Sequence, residues 1–282
     1  MHQSHECDLL CVRGNRMMNV FVDSQPGEVN RPTVFFVHGS MANYLQFENL
    51  IENLRGDYNI VAFDAYGCGK SHKPQGWEEY SADEHLEDVK AIVQKYKTCT
   101  NHLICHSFGT SQGIRLANLA DSLDFKLNSL TLLGTALTLP DGGHPLFRLP
   151  LFVLDWIQPW LTSQFARIAF HEDCSPDIIA KSSEQSSANP MHVCQAFYRQ
   201  FKWCTAEEVS GVSCPVLILQ GSGDRLTPVP GAEQLHRALQ NATMHLIEKA
   251  GHQVMQEAPE AILGHIAPFL ASFSSVESSQ SS

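Results

Sequence analysis

The sequence predicts an α/β protein: a mostly parallel, doubly wound sheet with a helical cap inserted between two of its strands. Three observations predict it. Short apolar runs bounded by turn residues recur along the chain, helix-like stretches alternate with them, and one long aromatic-rich segment breaks the alternation. A parallel sheet is covered on both faces, so its strands read as continuous apolar runs, as VFFV, LTLL and VLIL do here.

In chain order, the predicted strands are Thr33–Val37, Asn59–Asp64, His102–His106, Leu127–Leu133, Pro215–Gln220 and Thr243–Ile247. Between them, Ala82–Tyr96 carries Leu86, Val89, Ile92 and Val93 at helical spacing, with acids early and lysines late to suit the helix dipole. Gly113–Ala120 and Gly231–Leu239 are further predicted helices. Strands alternating with helices imply right-handed crossovers and a doubly wound sheet. The earlier stretch Asp8–Val22 alternates as an antiparallel hairpin at the sheet edge. From Thr138 to Cys214 no strand is predicted, but Trp156, Trp160, Trp203 and many Phe and Leu residues occur. Its segment PLFRLPLFVLDWIQPWL is apolar over most of its surface, with prolines expected to limit any helix to short pieces. The expected organisation is a core over residues 1–137, a cap over 138–214, a second core part over 215–271 and a disordered Ser-rich tail over 272–282. No internal repeat is present.

The composition bounds the function. With 282 residues, 43% of them hydrophobic and 17% charged, the chain can bury a sizeable core. Its 19 basic and 30 acidic side chains leave a net charge of −11, without the basic face that phosphate neutralisation needs, so nucleic acid is not an expected partner. The most apolar run, Pro150 to Leu161, contains Asp155 and Gln158 and is shorter than the ~20 residues of a spanning helix. The first residues lack the basic start and apolar core of a secretory signal. Nine cysteines without regular spacing then read as mostly reduced thiols, and the expected location is cytoplasmic. His2, His5, Cys7 and Cys11 lack paired C-x-x-C spacing, so no metal site is expected.

The chemistry resides in LICHSFGT. An apolar strand runs into Ser107, with Cys105 two residues before it and Gly109 two after. The pattern is close to G-x-S-x-G, a sharp strand-to-helix turn that crowds the residues at both flanks and therefore needs small ones. Cys105 departs from glycine but is still small, and a tighter or slightly shifted turn is expected. The turn sets Ser107 at a helix N-terminus, where backbone N–H groups and the dipole favour a developing oxyanion. A serine hydroxyl needs a base to take its proton, and the base needs a group to orient it. Asp224 in VLILQGSGDRLTP and His252 in MHLIEKAGHQV each sit in a loop after an apolar strand, in the order Ser, acid, His. Loops at the C-terminal ends of parallel strands converge, which would unite the three. Asp141 is a second candidate for the acid. His38-Gly39, after the strand VFFV, opens a loop that can supply an oxyanion N–H. Ser40 is the chosen donor with Phe108 as its partner, and Met41 is the alternative to Ser40.

These residues together resemble the α/β-hydrolase superfamily, in particular the capped single-domain serine hydrolases of the α/β-hydrolase-domain (ABHD) group. The resemblance is carried by His38-Gly39-Ser40, by Asp64-Ala65-Tyr66-Gly67-Cys68-Gly69-Lys70-Ser71 (similar to D-x-x-G-x-G-x-S), by His106-Ser107-Phe108-Gly109, by Gly221-Ser222-Gly223-Asp224 and by Gly251-His252. It spans roughly Pro32 to Phe269. Cys105 and Thr110 depart from the family pattern, which more often has glycine at both places. The resemblance implies hydrolysis of carboxylic esters, often acylglycerols or phospholipids, without a cofactor. Gly67 and Gly69 complete neither G-x-G-x-x-G nor a P-loop and read as a tight turn. Phe147, Leu151, Phe152, Trp156 and Trp160, with Met41, are expected to line a site for a greasy acyl ester, and the same apolar cap could lie on a lipid surface. Serine at the turn argues against the dehalogenase and epoxide hydrolase chemistries that use aspartate there. The H-x-x-x-x-D acyltransferase pattern is absent from the chain. A thioesterase, peptidase or carbon–carbon hydrolase on the same triad, and a non-catalytic scaffold or ligand-binding protein, remain the alternatives.

Overall fold

Eight strands form one sheet: β1 (Cys7–Arg13), β2 (Arg16–Asp23), β3 (Thr33–Val37), β4 (Asn59–Phe63), β5 (Asn101–His106), β6 (Leu127–Leu133), β7 (Val216–Gly221) and β8 (Ala242–Ile247). Their order across the sheet is β1-β2-β4-β3-β5-β6-β7-β8 in a computed structural model that describes residues 7–24, 31–139 and 144–274. The hairpin β1–β2 is antiparallel and joins the sheet by an antiparallel pairing of β2 with β4. All other neighbours are parallel. Strands β3, β4, β5 and β7 are buried at every residue, which is the reason they lack polar alternation.

Helices cover both faces. On one face, α2 (Ala82–Tyr96), α3 (Phe108–Leu119) and α8 (Val229–Ala238) bury Leu86, Ile92, Ile114 and Leu235 in a shared core. On the other, α1 (Glu48–Leu54), α9 (Val254–Glu257) and α10 (Pro259–Ser272) bury Leu50, Ile51, Ile262 and Ile266. Each such side chain is worth ~1.5–3 kcal/mol. Helix α2 has the predicted bounds, and the Ser81 hydroxyl caps it by accepting the Glu84 N–H at 3.2 Å. Helix α3 starts five residues before the predicted Gly113, directly after Ser107.

Between β6 and β7 lie, among the described residues, four α-helices, α4 (Leu151–Ala169), α5 (Pro176–Ser187), α6 (Met191–Arg199) and α7 (Ala206–Ser210), a 3-10 turn over Pro145–Arg148 and no strand. Helix α4 corrects the expectation of short pieces, for it continues through Pro159 over 19 residues. Proline leaves the Asp155 carbonyl unpaired and crowds it, but Asp155 and Pro159 both face solvent, where water can take the carbonyl. Ser272 ends α10. The tail from 275 onward, His2, His5 and Asp141 lie outside the described residues.

Candidate active site

Strand β5 delivers Ser107 to the C-terminal edge of the sheet. The strand stops at His106 and α3 starts at Phe108, so Ser107 alone makes the turn, with φ 51° and ψ −121°. A non-glycine residue there costs on the order of 1–3 kcal/mol and needs its surroundings to hold it. They do. The Ser107 N–H donates to the Leu133 carbonyl at 3.0 Å, and its own carbonyl accepts from the Thr110 N–H at 2.8 Å and the Thr110 hydroxyl at 2.6 Å. Thr110, a departure from the family pattern, thus adds a hydrogen bond that glycine could not. Gly109 has no room for a side chain, because a Cβ would stand 2.4 Å from the Val37 carbonyl oxygen.

The loop after β3 lies against this turn. A Cβ on Gly39 would approach His106 Nδ1 to 2.8 Å and Ser107 Cβ to 3.0 Å. His38 pins the loop: its Nε2 accepts the Ala65 N–H at 2.8 Å, so Nδ1 carries the proton and donates to the Gly39 carbonyl at 2.6 Å. Burial lowers the His38 pKa and favours this neutral form. Ala65 opens the D-x-x-G-x-G-x-S segment. There the Asp64 carboxylate accepts N–H bonds from Tyr44 and Lys70 and the Asn19 amide at 2.8–3.0 Å. It fills the turn at Gly69 (φ 51°), where a Cβ would stand 2.2 Å from Asp64 Oδ2. That is a brace between loops, as the tight-turn reading expects, and leaves no cradle for a phosphate. Ser40 and Phe108 line one cavity with Ser107, while Met41 does not. Met41 is held away from it, with φ 54°, a backbone hydrogen bond to Cys68 and its carbonyl on Asn189 Nδ2 at 2.6 Å.

Asp224 and His252 come together from the loops after β7 and β8. Asp224 Oδ1 accepts the N–H groups of Leu226 and Thr227, both at 2.9 Å. Its Oδ2 accepts from Gln220 Nε2 at 2.8 Å and the Thr227 hydroxyl at 2.7 Å, and lies 2.8 Å from His252 Nδ1. Burial pushes this carboxyl up, but His252 and the hydrogen bonds from Thr227 outweigh it and hold the group below the usual carboxylate range. An ionised carboxylate only accepts, so Nδ1 bears the proton and Nε2 keeps a free lone pair, as a general base requires. Two further contacts fix the ring's loop. The His252 N–H donates to the Ala169 carbonyl at 2.7 Å, and His106 Nε2 donates to the His252 carbonyl at 3.0 Å. Burial, then the neighbouring His252, lowers the His106 pKa to about 3.

Ser107 and His252 line the same cavity of about 160 Å³, although no hydrogen bond joins the serine hydroxyl to the ring among the described residues. Such bonds are commonly long before substrate binds. Leu139, Phe165, Tyr198, Phe201 and Trp203 wall the cavity on its apolar side. This corrects the expected acyl lining, since none of Met41, Phe147, Leu151, Phe152, Trp156 and Trp160 lines it. Phe147 stands behind the wall, stacked on Tyr198 with ring centres 4.4 Å apart, and Leu151 packs on the core. Phe152, Trp156 and Trp160 face solvent, 75%, 83% and 56% exposed. Composition marked α4 as apolar without telling which of its faces turns inward; that face carries the buried Leu154 and the cavity-lining Phe165. Sequence reasoning also missed Thr227, although an Asp followed three residues later by Thr is a recognisable turn signal.

A family model described as "Alpha/beta hydrolase family" matches residues 34–264. Protein ABHD8 of Mus musculus is 28% identical over 249 residues, covering 84% of this chain and 54% of its own length. The chain therefore spans about half the length of such curated relatives. Among solved structures, an esterase from Exiguobacterium antarcticum superposes with a TM-score of 0.77 at 19% identity, covering 91% of this chain and 96% of its own. An enol-lactonase from Burkholderia xenovorans LB400 does so at 0.79 and 17%, covering 91% and 97%. At these identities the likeness speaks for the fold.

Proposed function

The chain belongs to the alpha/beta hydrolase family, and from that premise we propose that it is a serine hydrolase cleaving carboxylic esters with a lipid-like acyl group. The observation that carries the reading is the arrangement of Ser107 on its strained turn, in one cavity with a His252 ring whose Nδ1 sits 2.8 Å from Asp224. His252 Nε2 takes the Ser107 proton and the serine oxygen attacks the ester carbonyl. The oxyanion is held by the Ser40 and Phe108 amides, each worth ~3–4 kcal/mol. The imidazolium then protonates the leaving alcohol, and water cleaves the acyl-enzyme by the same route reversed. The aromatic wall supports an acyl chain as the bound group, since apolar surface is what a chain buries.

The exposed stripe Phe152, Trp156 and Trp160 supports a peripheral contact with a lipid surface, because Trp and Phe on one face of a helix seat well at the headgroup boundary. Helix α4 also supplies Phe165 to the cavity, so the lipid contact and the site share one element. No helix of the described residues is long and apolar enough to cross a membrane. The free cysteines, among them buried Cys68, Cys194, Cys204 and Cys214, support a reducing compartment such as the cytoplasm.

Labelling with a fluorophosphonate tests the reading. Wild type is expected to be modified at Ser107 and Ser107→Ala to be silent. Folded wild-type protein that resists the probe would exclude an activated serine.

A further inference from the structure

Besides its aromatic residues, the cavity carries a second kind of surface. Gln46, on the 3-10 turn Tyr44–Phe47, and Gln253, next to His252, both line it, as do Ser182 and Gln185 of α5. Gln46 is 4% exposed and Gln253 6%. Neither Nε2 nor Oε1 of Gln46 has a hydrogen-bond partner, nor has Oε1 of Gln253. Elsewhere in the site Asp224 is paired with Thr227 and Gln220, and Ser40 with Tyr198, while His106 Nδ1 also lacks a partner but is a single ring nitrogen beside Gly39. A buried amide without a partner costs stability, and at the edge of a cavity a bound group can complete it. The chemistry of that something is narrow. An amide offers both donors and acceptors, which a hydroxyl group matches because it donates and accepts. No Lys, Arg, Asp or Glu lines the cavity among the described residues, so a buried phosphate would find no countercharge. A plain alkyl group would leave the amides unpaired.

We propose that Gln46 and Gln253 form a polar subsite for the alcohol half of the ester, and that it selects an uncharged alcohol bearing free hydroxyls over an alkyl or phosphate-bearing one. This rests on the ester-hydrolase reading of Ser107 and narrows it to esters such as fatty-acyl glycerol.

Three esters of one acyl chain test it: 1-decanoylglycerol, ethyl decanoate and a decanoyl glycerophosphocholine, each with wild type, Gln46→Met and Gln253→Met. Fluorophosphonate labelling of Ser107 is read in parallel. Wild type is expected to prefer the glycerol ester at least tenfold in kcat/KM over both others. Either variant is expected to cut the glycerol-to-ethyl ratio about tenfold. Its melting temperature should stay level or rise, because methionine fills the space without an unpaired amide. Should Gln46→Met not fold, Gln46→Glu serves, since it still accepts but no longer donates, and the same fall in ratio is expected. Labelled protein with equal rates on the three esters, zero included, overturns the subsite alone. So does fastest turnover of the phosphate ester, or a variant that slows all three equally, which is how amides satisfied by water would behave. Failure of wild type to label overturns the ester-hydrolase reading and the subsite with it.

Discussion

The Cys105 sulfur occupies the space that a side chain at position 113 would need: a Cβ added to Gly113 would stand 2.6 Å from Sγ. The thiol that replaces the first glycine of G-x-S-x-G is thus accommodated by a glycine on the facing turn of α3. At this contact the small residue stands on the helix, and strand and helix pack closely. Burial raises the Cys105 pKa well above that of an ordinary thiol, so it packs and does not react.

This pair makes a coupled prediction. Gly113→Ala is expected to destabilise the fold by ~1–3 kcal/mol through overpacking, against the ~1 kcal/mol that alanine gains in a helix. Cys105→Ala combined with Gly113→Ala should recover most of the loss. Urea denaturation of the single and double variants checks it, and strictly additive effects would remove the coupling.

Asp224→Asn leaves the hydrogen-bond geometry possible but removes the ionised acceptor that fixes His252 Nδ1–H. Ester turnover is expected to fall on the order of 10³–10⁴-fold with the fold retained. Thr227→Val deletes one hydroxyl bond to Asp224 Oδ2, and a smaller loss of about tenfold in kcat is expected. Rates within twofold of wild type for Asp224→Asn would transfer the acid's role elsewhere.

Buried histidines make stability depend on pH. Burial holds His85 and His106 at about 3 and His102 at about 4, against an ordinary 6.5. As pH falls below 6.5 the unfolded chain takes up protons that the folded chain refuses, so stability falls, by up to ~1.4 kcal/mol per pH unit for each histidine. Asp88 and Glu257, whose carboxyls burial raises, act in the opposite sense nearer the carboxylate range. The clean window therefore runs from about pH 6.5 to about 5. Denaturant midpoints across it should drop for wild type and drop less for His102→Asn; parallel curves would clear His102.

The outward stripe of α4 yields a separable effect. Trp156→Ser combined with Trp160→Ser is expected to weaken sedimentation with phospholipid vesicles at least fivefold. Melting temperature and turnover of a short, water-soluble ester should be little altered, since both indoles are exposed and away from the cavity. Equal vesicle binding by the double variant would dismiss the stripe as the contact.

How far the sequence could be read depended on how local the constraint was. β3 and β6 fall on their predicted bounds because a doubly covered strand must be continuously apolar. Ser107 was legible because the turn admits only small residues two positions away, a rule that acts within five residues. Asp224 and His252 were legible through their places after strands. The cavity wall was not, because Phe165, Phe201 and Trp203 come from separate segments between β6 and β7 that meet only after folding. Nor could Gln46 be found, for a glutamine's missing partner is a fact about its neighbours in space. Pro159 misled for a related reason, because the cost of a proline in a helix depends on whether the carbonyl it strands faces water.

The imidazole of His106 reaches the backbone of His252 across 146 residues. The ordering of the site therefore depends on a contact between distant parts of the sequence, which closes late in a chain that folds as it is synthesised. A growing polypeptide can complete β5 and its serine turn while most of the later sequence is still to be made. On the proposed mechanism it has no base to activate that serine until the loop after β8 has emerged. On that mechanism the serine turn comes early in the chain and its base comes last, so a product truncated before His252 would lack the base.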